Sequence, residues 1–270
     1  MNTDKRPKIG LALGSGGARG LSHIGVIKIL KENNIPIDFI AGSSIGALVG
    51  GFYASGISIE EIEKIALDTN WRQIFSLIDF SFSKSGLVEG EKVKKFIKDN
   101  IKNLDFKDCK IPFSSVATDI KNGNAVVFNS GEMGTAIRAS ISVPLFFKPV
   151  KIGDKLLYDG GLSQPVPVSI VRNMGADIII AVNVNDGYLD KVKDGDHSFY
   201  TITQNSIRIM NKNLASYNIA SADIVISPVV NNTKWNEFIN GEKLILAGEE
   251  ATKKVLSELK RKIESFQKML

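Results

Sequence analysis

Cysteine and histidine are nearly missing from this chain: Cys109 alone, and His23 and His197, among 270 residues. A single cysteine excludes an intramolecular disulfide and fits a reducing compartment. Cys109 stands between Asp108 and Lys110 with no evident partner and reads as structural. No cluster of His, Asp or Glu has the spacing of metal ligands, so neither a metal nor another cofactor is expected. Also absent is any run approaching the roughly 18 apolar residues of a membrane span. The polar start Met1-Asn2-Thr3-Asp4-Lys5-Arg6 is not followed by the apolar stretch of a secretion signal. The expectation is a cytoplasmic protein, with a peripheral place at the inner face of the membrane left open.

Strong charge of either sign is lacking too. The formal balance is +5, a mild basic bias that favours anionic surfaces such as phospholipid headgroups or nucleic acid. Most lysines, however, fall in mixed-sign stretches such as 91–102 and 253–268, which read as solvated helix faces. No aromatic residues interleave with basic ones as in a nucleic-acid module, so no nucleic-acid partner is expected.

What the chain does have is 43% hydrophobic residues in alternating strand-like and helix-like patterns. Strands are expected at 8–13, 37–41, 114–118, 125–128, 155–158, 177–184 and 223–227. Helices are expected at 20–32, up to about Ala54, from Ser58, at 91–101, 135–139, 168–173 and 198–220, and at the C-terminus over about 241–268. Ser58-Ile59-Glu60-Glu61 is a capping box, and Lys121-Asn122-Gly123-Asn124 signals a hairpin turn. Residues 75–90 and 186–196 read as irregular connections. With no repeat and no linker, residues 1–270 read as one α/β domain.

Three short motifs carry chemistry. In Gly42-Ser43-Ser44-Ile45-Gly46 an apolar strand breaks at a sharp turn and a helix follows, the context in which G-x-S-x-G holds an exposed nucleophile. Ser44 would stand at a helix N-terminus that favours developing negative charge. The blander reading makes these serines helix caps. Upstream, Gly14-Ser15-Gly16-Gly17-Ala18-Arg19-Gly20 joins the first strand to the first helix. It supports an oxyanion hole with donors chiefly from Gly16 and Gly17, a dinucleotide-binding loop with Asp38 on the ribose, or a tight turn. The dinucleotide pattern is imperfect, because Arg19 stands where glycine or alanine belongs. The third motif, Asp159-Gly160-Gly161, puts a carboxylate at a strand end, although Asp-Gly-Gly is also an ordinary turn. His23, inside a helix, reads as core or surface. His197 leaves open a Ser44-Asp159-His197 triad.

In order and context these motifs resemble the patatin-like phospholipase family in its compact bacterial form, over residues 9–230. The resemblance implies a three-layer α/β domain with a mainly parallel central sheet flanked by helices. It implies Ser44 as nucleophile, Asp159 as the base of a Ser-Asp dyad, and Gly16, Gly17 and Ala18 as the oxyanion hole. Ser15, Gly20, Gly42, Gly46, Gly160 and Gly161 support the motifs. Arg19 matches a basic position of the family, fixing the loop or meeting substrate phosphate. Ser15 departs from the family's glycine, which bears on the identity of the N–H donors. The implied partner is a lipid or other fatty-acyl ester, hydrolysed without cofactor or metal, and apolar surroundings are expected to raise the pKa of Asp159. Phe80, Phe82, Phe146 and Phe147 read as acyl-pocket or core residues. The C-terminal helix is expected to pack on the sheet or to lie on an anionic membrane. The oligomeric state is not legible.

Overall fold

The computed structural model describes residues 6–68, 90–185, 199–230 and 238–269. In chain order the strands are β1 (Ile9–Leu13), β2 (Phe39–Ser43), β3 (Phe113–Asp119), β4 (Ala125–Phe128), β5 (Val150–Ile152), β6 (Lys155–Asp159), β7 (Ile178–Val182) and β8 (Ile224–Ile226). The α-helices are α1 (Ser22–Glu32), α2 (Ile45–Ala54), α3 (Ile59–Leu67), α4 (Glu91–Ile101), α5 (Met133–Ser140), α6 (Val168–Asn173), α7 (Phe199–Ile219) and α8 (Gly241–Met269).

The strands form one sheet in which β5, β6, β3, β2, β1, β7 and β8 are successive hydrogen-bonded neighbours and β4 pairs with β3. The pairs β3–β2, β2–β1, β1–β7 and β7–β8 are parallel; β3–β4, β3–β6 and β5–β6 are antiparallel. Every residue of β1 and β7 is buried, as strands covered by helices on both faces must be. One face carries Leu11, Leu13, Ile40, Ile180 and Val182 against α1, α2 and α8. The other carries Ala12, Ala41, Ile179 and Ala181 against Val168 and Val171 of α6 and Ala215 of α7. The result is the expected three-layer α/β arrangement with a mainly parallel sheet.

The register on β3 positions the site. Ser115 and Val116 pair with Gly42 and Ser43 of β2 on one edge, and with Phe128 and Val127 of β4 on the other. One step on, Ala117 keeps Val126 of β4 on the far edge while Asp159 of β6 takes the near one. β2 and β6 therefore lie end to end along a single edge of β3, running toward one another. Their C-terminal ends meet opposite Val116 and Ala117.

Two elements differ from the sequence reading. The strand β5 was not expected; three residues, Val150-Lys151-Ile152, are too few to show a period, and a tight turn pairs them with β6. The helix expected at 20–32 begins as a 3-10 turn, Gly17–Leu21, and becomes α-helical only at Ser22. The capping box at Ser58 forms, its Oγ accepting from the Glu61 N–H at 3.2 Å. The irregular connections expected at 75–90 and 186–196 lie, but for Gly90, outside the described residues.

The C-terminal helix packs on the body of the protein. Leu244, Ile245, Ala251 and Leu259 of α8 are buried in the main core. The seam with α1 is close enough that a Cβ on Gly248 would lie 2.0 Å from the carbonyl oxygen of Ser22, and one on Gly25 2.0 Å from that of Ile245. Among the described residues no helix is long and apolar enough to cross a membrane. Gly248→Val forces these backbones apart and is expected to lower stability by roughly 1–3 kcal/mol. Urea unfolding checks this: the midpoint falls clearly below that of wild type.

Candidate active site

Ser44 lies between the end of β2 and the start of α2 with φ 55° and ψ −126°, left-handed backbone rarely adopted by residues with side chains. Its neighbours hold it there. A Cβ on Gly42 would lie 2.4 Å from the carbonyl oxygen of Gly46, and one on Gly46 2.2 Å from that of Leu13. Glycine is thus required on both sides for α2 to press against the strand ends. The Ser44 N–H donates to Ser140 Oγ at 2.9 Å. Its hydroxyl makes no capping bond to α2, so the blander reading of this serine fails.

The hydroxyl donates instead to Asp159 Oδ2 at 2.5 Å, across 115 residues of sequence. The meeting of β2 and β6 on β3 brings the pair together. Asp159 is fixed on every side: Oδ1 accepts from the Gly161 N–H at 2.7 Å, the backbone N–H donates to the Ser142 carbonyl at 3.0 Å, and Thr118 Oγ1 donates to the Asp159 carbonyl at 2.8 Å. Both side chains are buried, Ser44 at 6% exposure and Asp159 at 7%. Burial raises the Asp159 carboxyl from its ordinary 3.8 to about 6; the bonds from Ser44 and Gly161 favour the charged form and only partly oppose it.

The glycine-rich loop adjoins this pair because β1 and β2 are parallel neighbours. Two of its amides are already engaged, Gly14 N–H with the Val182 carbonyl at 3.1 Å and Ser15 N–H with that of Pro165 at 2.8 Å. The 3-10 turn Gly17–Leu21 follows, and the leading N–H groups of such a turn have no acceptor within it. Ser15, Gly16 and Gly17 line a cleft together with Ser44 and Asp159; Ala18 is fully buried. Gly20 packs on Ile45 of α2. Arg19 is buried, its Nε donating to the Gly16 carbonyl at 3.3 Å and Nη2 to Asn185 Oδ1 at 3.1 Å. Asn185 Nδ2 in turn donates to the Ser15 carbonyl at 2.7 Å. Arg19 therefore fixes the loop. His23 does the same from α1: Nε2–H donates to the Gly14 carbonyl at 2.8 Å, and burial pushes the imidazole down to about 4, leaving it neutral.

The cleft encloses about 680 Å³ including its open mouth. Val143, Pro144 and Leu162 supply apolar wall, and α7 adds Gln204, Ile207, Arg208, Asn211 and Lys212. Phe146 and Phe147 do not reach it; both are core, with the Arg138 guanidinium 4.7 Å from the Phe147 ring centre. Phe80 and Phe82 lie outside the described residues. Sequence reasoning missed Ser140, Ser142 and Thr118, which hold the backbone of the pair, and the polar row on α7. One signal was available. Arg138, Ser140 and Ser142 recur every second residue in a segment otherwise apolar or small, where solvated polar residues would not be so regular.

His197 also lies outside the described residues. Asp38 stands just before β2, about 13 Å from the loop at strand spacing, paired with Arg6 at 2.6 Å and accepting from the Ile9 N–H at 2.7 Å. It is at the wrong end of the strand to meet a ribose whose phosphates sit on that loop. Among the described residues no group of three or more His, Cys, Asp or Glu is placed to hold a metal. Cys109 is partly buried, Sγ donating to Met133 Sδ at 3.0 Å, and burial pushes the thiol up to about 11.

The family model described as patatin-like phospholipase matches residues 11–172. An uncharacterized NTE family protein of Mycobacterium tuberculosis is 40% identical over 190 residues, 70% of this chain and 52% of that protein. Neuropathy target esterase sws of Drosophila melanogaster is 34% identical over 184 residues, 65% of this chain and 13% of its own length. Lysophospholipase NTE1 of Debaryomyces hansenii is 34% identical over 182 residues, 65% of this chain and 12% of its own. The chain thus spans about half the length of the mycobacterial relatives and a small part of the eukaryotic ones. In fold it is similar to VipD from Legionella pneumophila, with a TM-score of 0.55 at 14% identity, covering 94% of this chain and 67% of that one. ExoU of Pseudomonas aeruginosa, solved with SpcU, gives a TM-score of 0.55 at 15% identity, covering 96% and 52%. A family match over more than half its length, a relative at 40% identity and a shared fold agree, and the chain belongs to the patatin-like phospholipase family.

Proposed function

We propose that this chain is a serine acyl hydrolase that cleaves fatty-acyl esters of phospholipids or lysophospholipids through a Ser44–Asp159 dyad. The observation that carries the reading is the buried hydrogen bond from Ser44 Oγ to Asp159 Oδ2, beside glycine amides at the head of a 3-10 turn. The family match and the names of the esterase and lysophospholipase relatives support the ester and lipid classes.

In this mechanism Asp159 accepts the hydroxyl proton as Ser44 Oγ bonds to the ester carbonyl carbon. The negative charge that moves to the carbonyl oxygen is received by the N–H groups of Gly16 and Gly17, with Ala18 next in line. Each such donor contributes roughly 3 kcal/mol to the transition state. Collapse of the tetrahedral species breaks the carbon–oxygen bond to the alcohol, which takes the proton from Asp159 and leaves an acyl-Ser44 ester. A water then gives its proton to Asp159, adds to the acyl carbon and releases the fatty acid, returning the proton to Ser44. A carboxyl at about 6 is ionised at neutral pH yet basic enough to share the serine proton. The direct Ser44–Asp159 bond supports the dyad over a triad, in which a histidine would stand between them.

A lipid panel read by mass spectrometry tests the chemistry. Wild type releases fatty acid, whereas Ser44→Ala and Asp159→Asn each lose roughly 1,000-fold or more; retained activity in either variant contradicts the dyad. Asp159 also carries a stability signature. Its folded value lies above its unfolded one, so the folded state holds a proton that the unfolded chain releases, and stability falls as pH rises from about 4 to about 6. Asp159→Asn removes this cost, and is expected to be the more stable protein at pH 7 to 8 by at most roughly 3 kcal/mol. Thermal unfolding of both proteins across pH checks the sign: the advantage shrinks as pH falls toward 4.

A further inference from the structure

The helix α7 brings a row of hydrogen-bond donors to the cleft. Asn211 ties the helix to the site: its Nδ2 donates to the Gly161 carbonyl at 2.8 Å, and its Oδ1 accepts from Asn185 Nδ2 at 3.1 Å. The Gly161 N–H also holds Asp159, so α7 is anchored to the loop that follows the carboxylate. Gln204, Arg208 and Lys212 line the same cleft. Four residues apart, they share one face of the helix, and at 1.5 Å per residue the row spans about 12 Å. Gln204 is only 8% exposed, yet its Nε2 has no hydrogen-bond partner among the described residues. A buried amide N–H left unsatisfied is costly, and an oxygen acceptor entering the cleft would relieve that cost.

All three side chains end in N–H donors, and two of them carry positive charge. Over its 21 residues α7 has no Asp or Glu. Among the described residues that line the cleft the one carboxylate is Asp159, which already accepts from Ser44 and Gly161. The acceptor that fits this row is an anion with several oxygens. Phosphate is the anion that a lipid acyl ester carries a few bonds from its carbonyl carbon. Val143, Pro144 and Leu162 line the same cleft and suit the apolar part of such a molecule. Headgroup charge is discriminated as well. A choline ammonium is received by carboxylates or by a cage of aromatic rings, and among the described residues no aromatic side chain and no carboxylate besides Asp159 lines the cleft.

We infer that Gln204, Arg208 and Lys212 bind the phosphate of the substrate and select acyl esters with a net anionic headgroup over choline and neutral ones. The inference rests on the lipid-hydrolase reading for its reaction, but binding is measurable without catalysis. Calorimetric titration uses the Ser44→Ala protein with decanoyl lysophosphatidic acid, decanoyl lysophosphatidylcholine and decanoylglycerol, each kept below its micellar concentration. The anionic lipid is expected to bind roughly tenfold tighter or more than the other two. Arg208→Gln/Lys212→Gln erases this preference, Gln204→Leu reduces it severalfold, and Arg208→Lys/Lys212→Arg, which keeps both charges, retains it. With Ser44 in place, the kcat/KM ratio of the anionic to the choline ester follows the same order across the variants. A general defect lowers both rates and leaves that ratio unmoved. Inorganic phosphate, which carries the anion without the acyl chain, binds far more weakly than lysophosphatidic acid. Equal affinity for the three lipids, a preference that survives in Arg208→Gln/Lys212→Gln, or inorganic phosphate bound as tightly as lysophosphatidic acid overturns the inference, the last by making this a site for free phosphate. If the protein with Ser44 cleaves none of the esters, the hydrolase reading fails and the calorimetric ranking still decides the phosphate site.

Discussion

Two strands that end against each other on one edge of β3 are the constraint from which the site follows. Because β2 is parallel to β3 and β6 antiparallel, both arrive at the same point, Val116–Ala117, with their C-terminal ends. Each strand must turn away there. Ser44 does so in strained left-handed backbone, and Asp159 does so into the short turn Gly160–Leu162. The residues at the two bends then touch through their side chains. No long-range steering beyond sheet register is needed to bring a hydroxyl onto a carboxylate.

Holding them so is costly, and the surrounding elements are arranged around that cost. Asp159 is buried, which disfavours its charge, and among the described residues the Ser44 hydroxyl and the Gly161 N–H oppose that cost. The backbone is held more firmly than the charge, by Ser140 on Ser44 and by Ser142 and Thr118 on Asp159. Ser142 is itself held, its Oγ receiving the Arg138 guanidinium at 2.6 Å. Burial lowers that guanidinium to about 10, so it keeps its charge at neutral pH. A rigid frame around a buried carboxylate, held at some expense of stability, fits the base role proposed for Asp159.

Much of this was legible because the local patterns are strong. Buried parallel strands read as continuous apolar runs, and α2, α4 and α6 were placed within a residue or two from periodicity. The G-x-S-x-G turn could be recognised because a strand precedes it and an apolar helix follows. Asp159-Gly160-Gly161 carried little information alone, since its meaning lies in the register of β6 on β3, and register leaves no mark in a single sequence. The supporting serines were missed for a related reason: Ser140 and Ser142 act through backbone groups distant in sequence. Nor did the family motifs reach α7, whose residues lie beyond the matched region 11–172. Its cleft-facing and outward-facing rows separate only once the sheet is in place. Of the two placements that amphipathicity left open for the C-terminal helix, packing on the body of the protein is the one the structure shows, with α1 covering much of its apolar side.

The central claim is that Asp159, ionising near 6, governs the reactivity of Ser44. The most direct measurement is the rate at which a fluorophosphonate attaches to Ser44, followed by intact-protein and peptide mass spectrometry between pH 4.5 and 8. The account requires a single adduct on Ser44, a rate that rises with pH to a plateau with a midpoint near 6, and no detectable adduct in Asp159→Asn. A rate in Asp159→Asn equal to that of wild type, or an adduct on another residue, would contradict it.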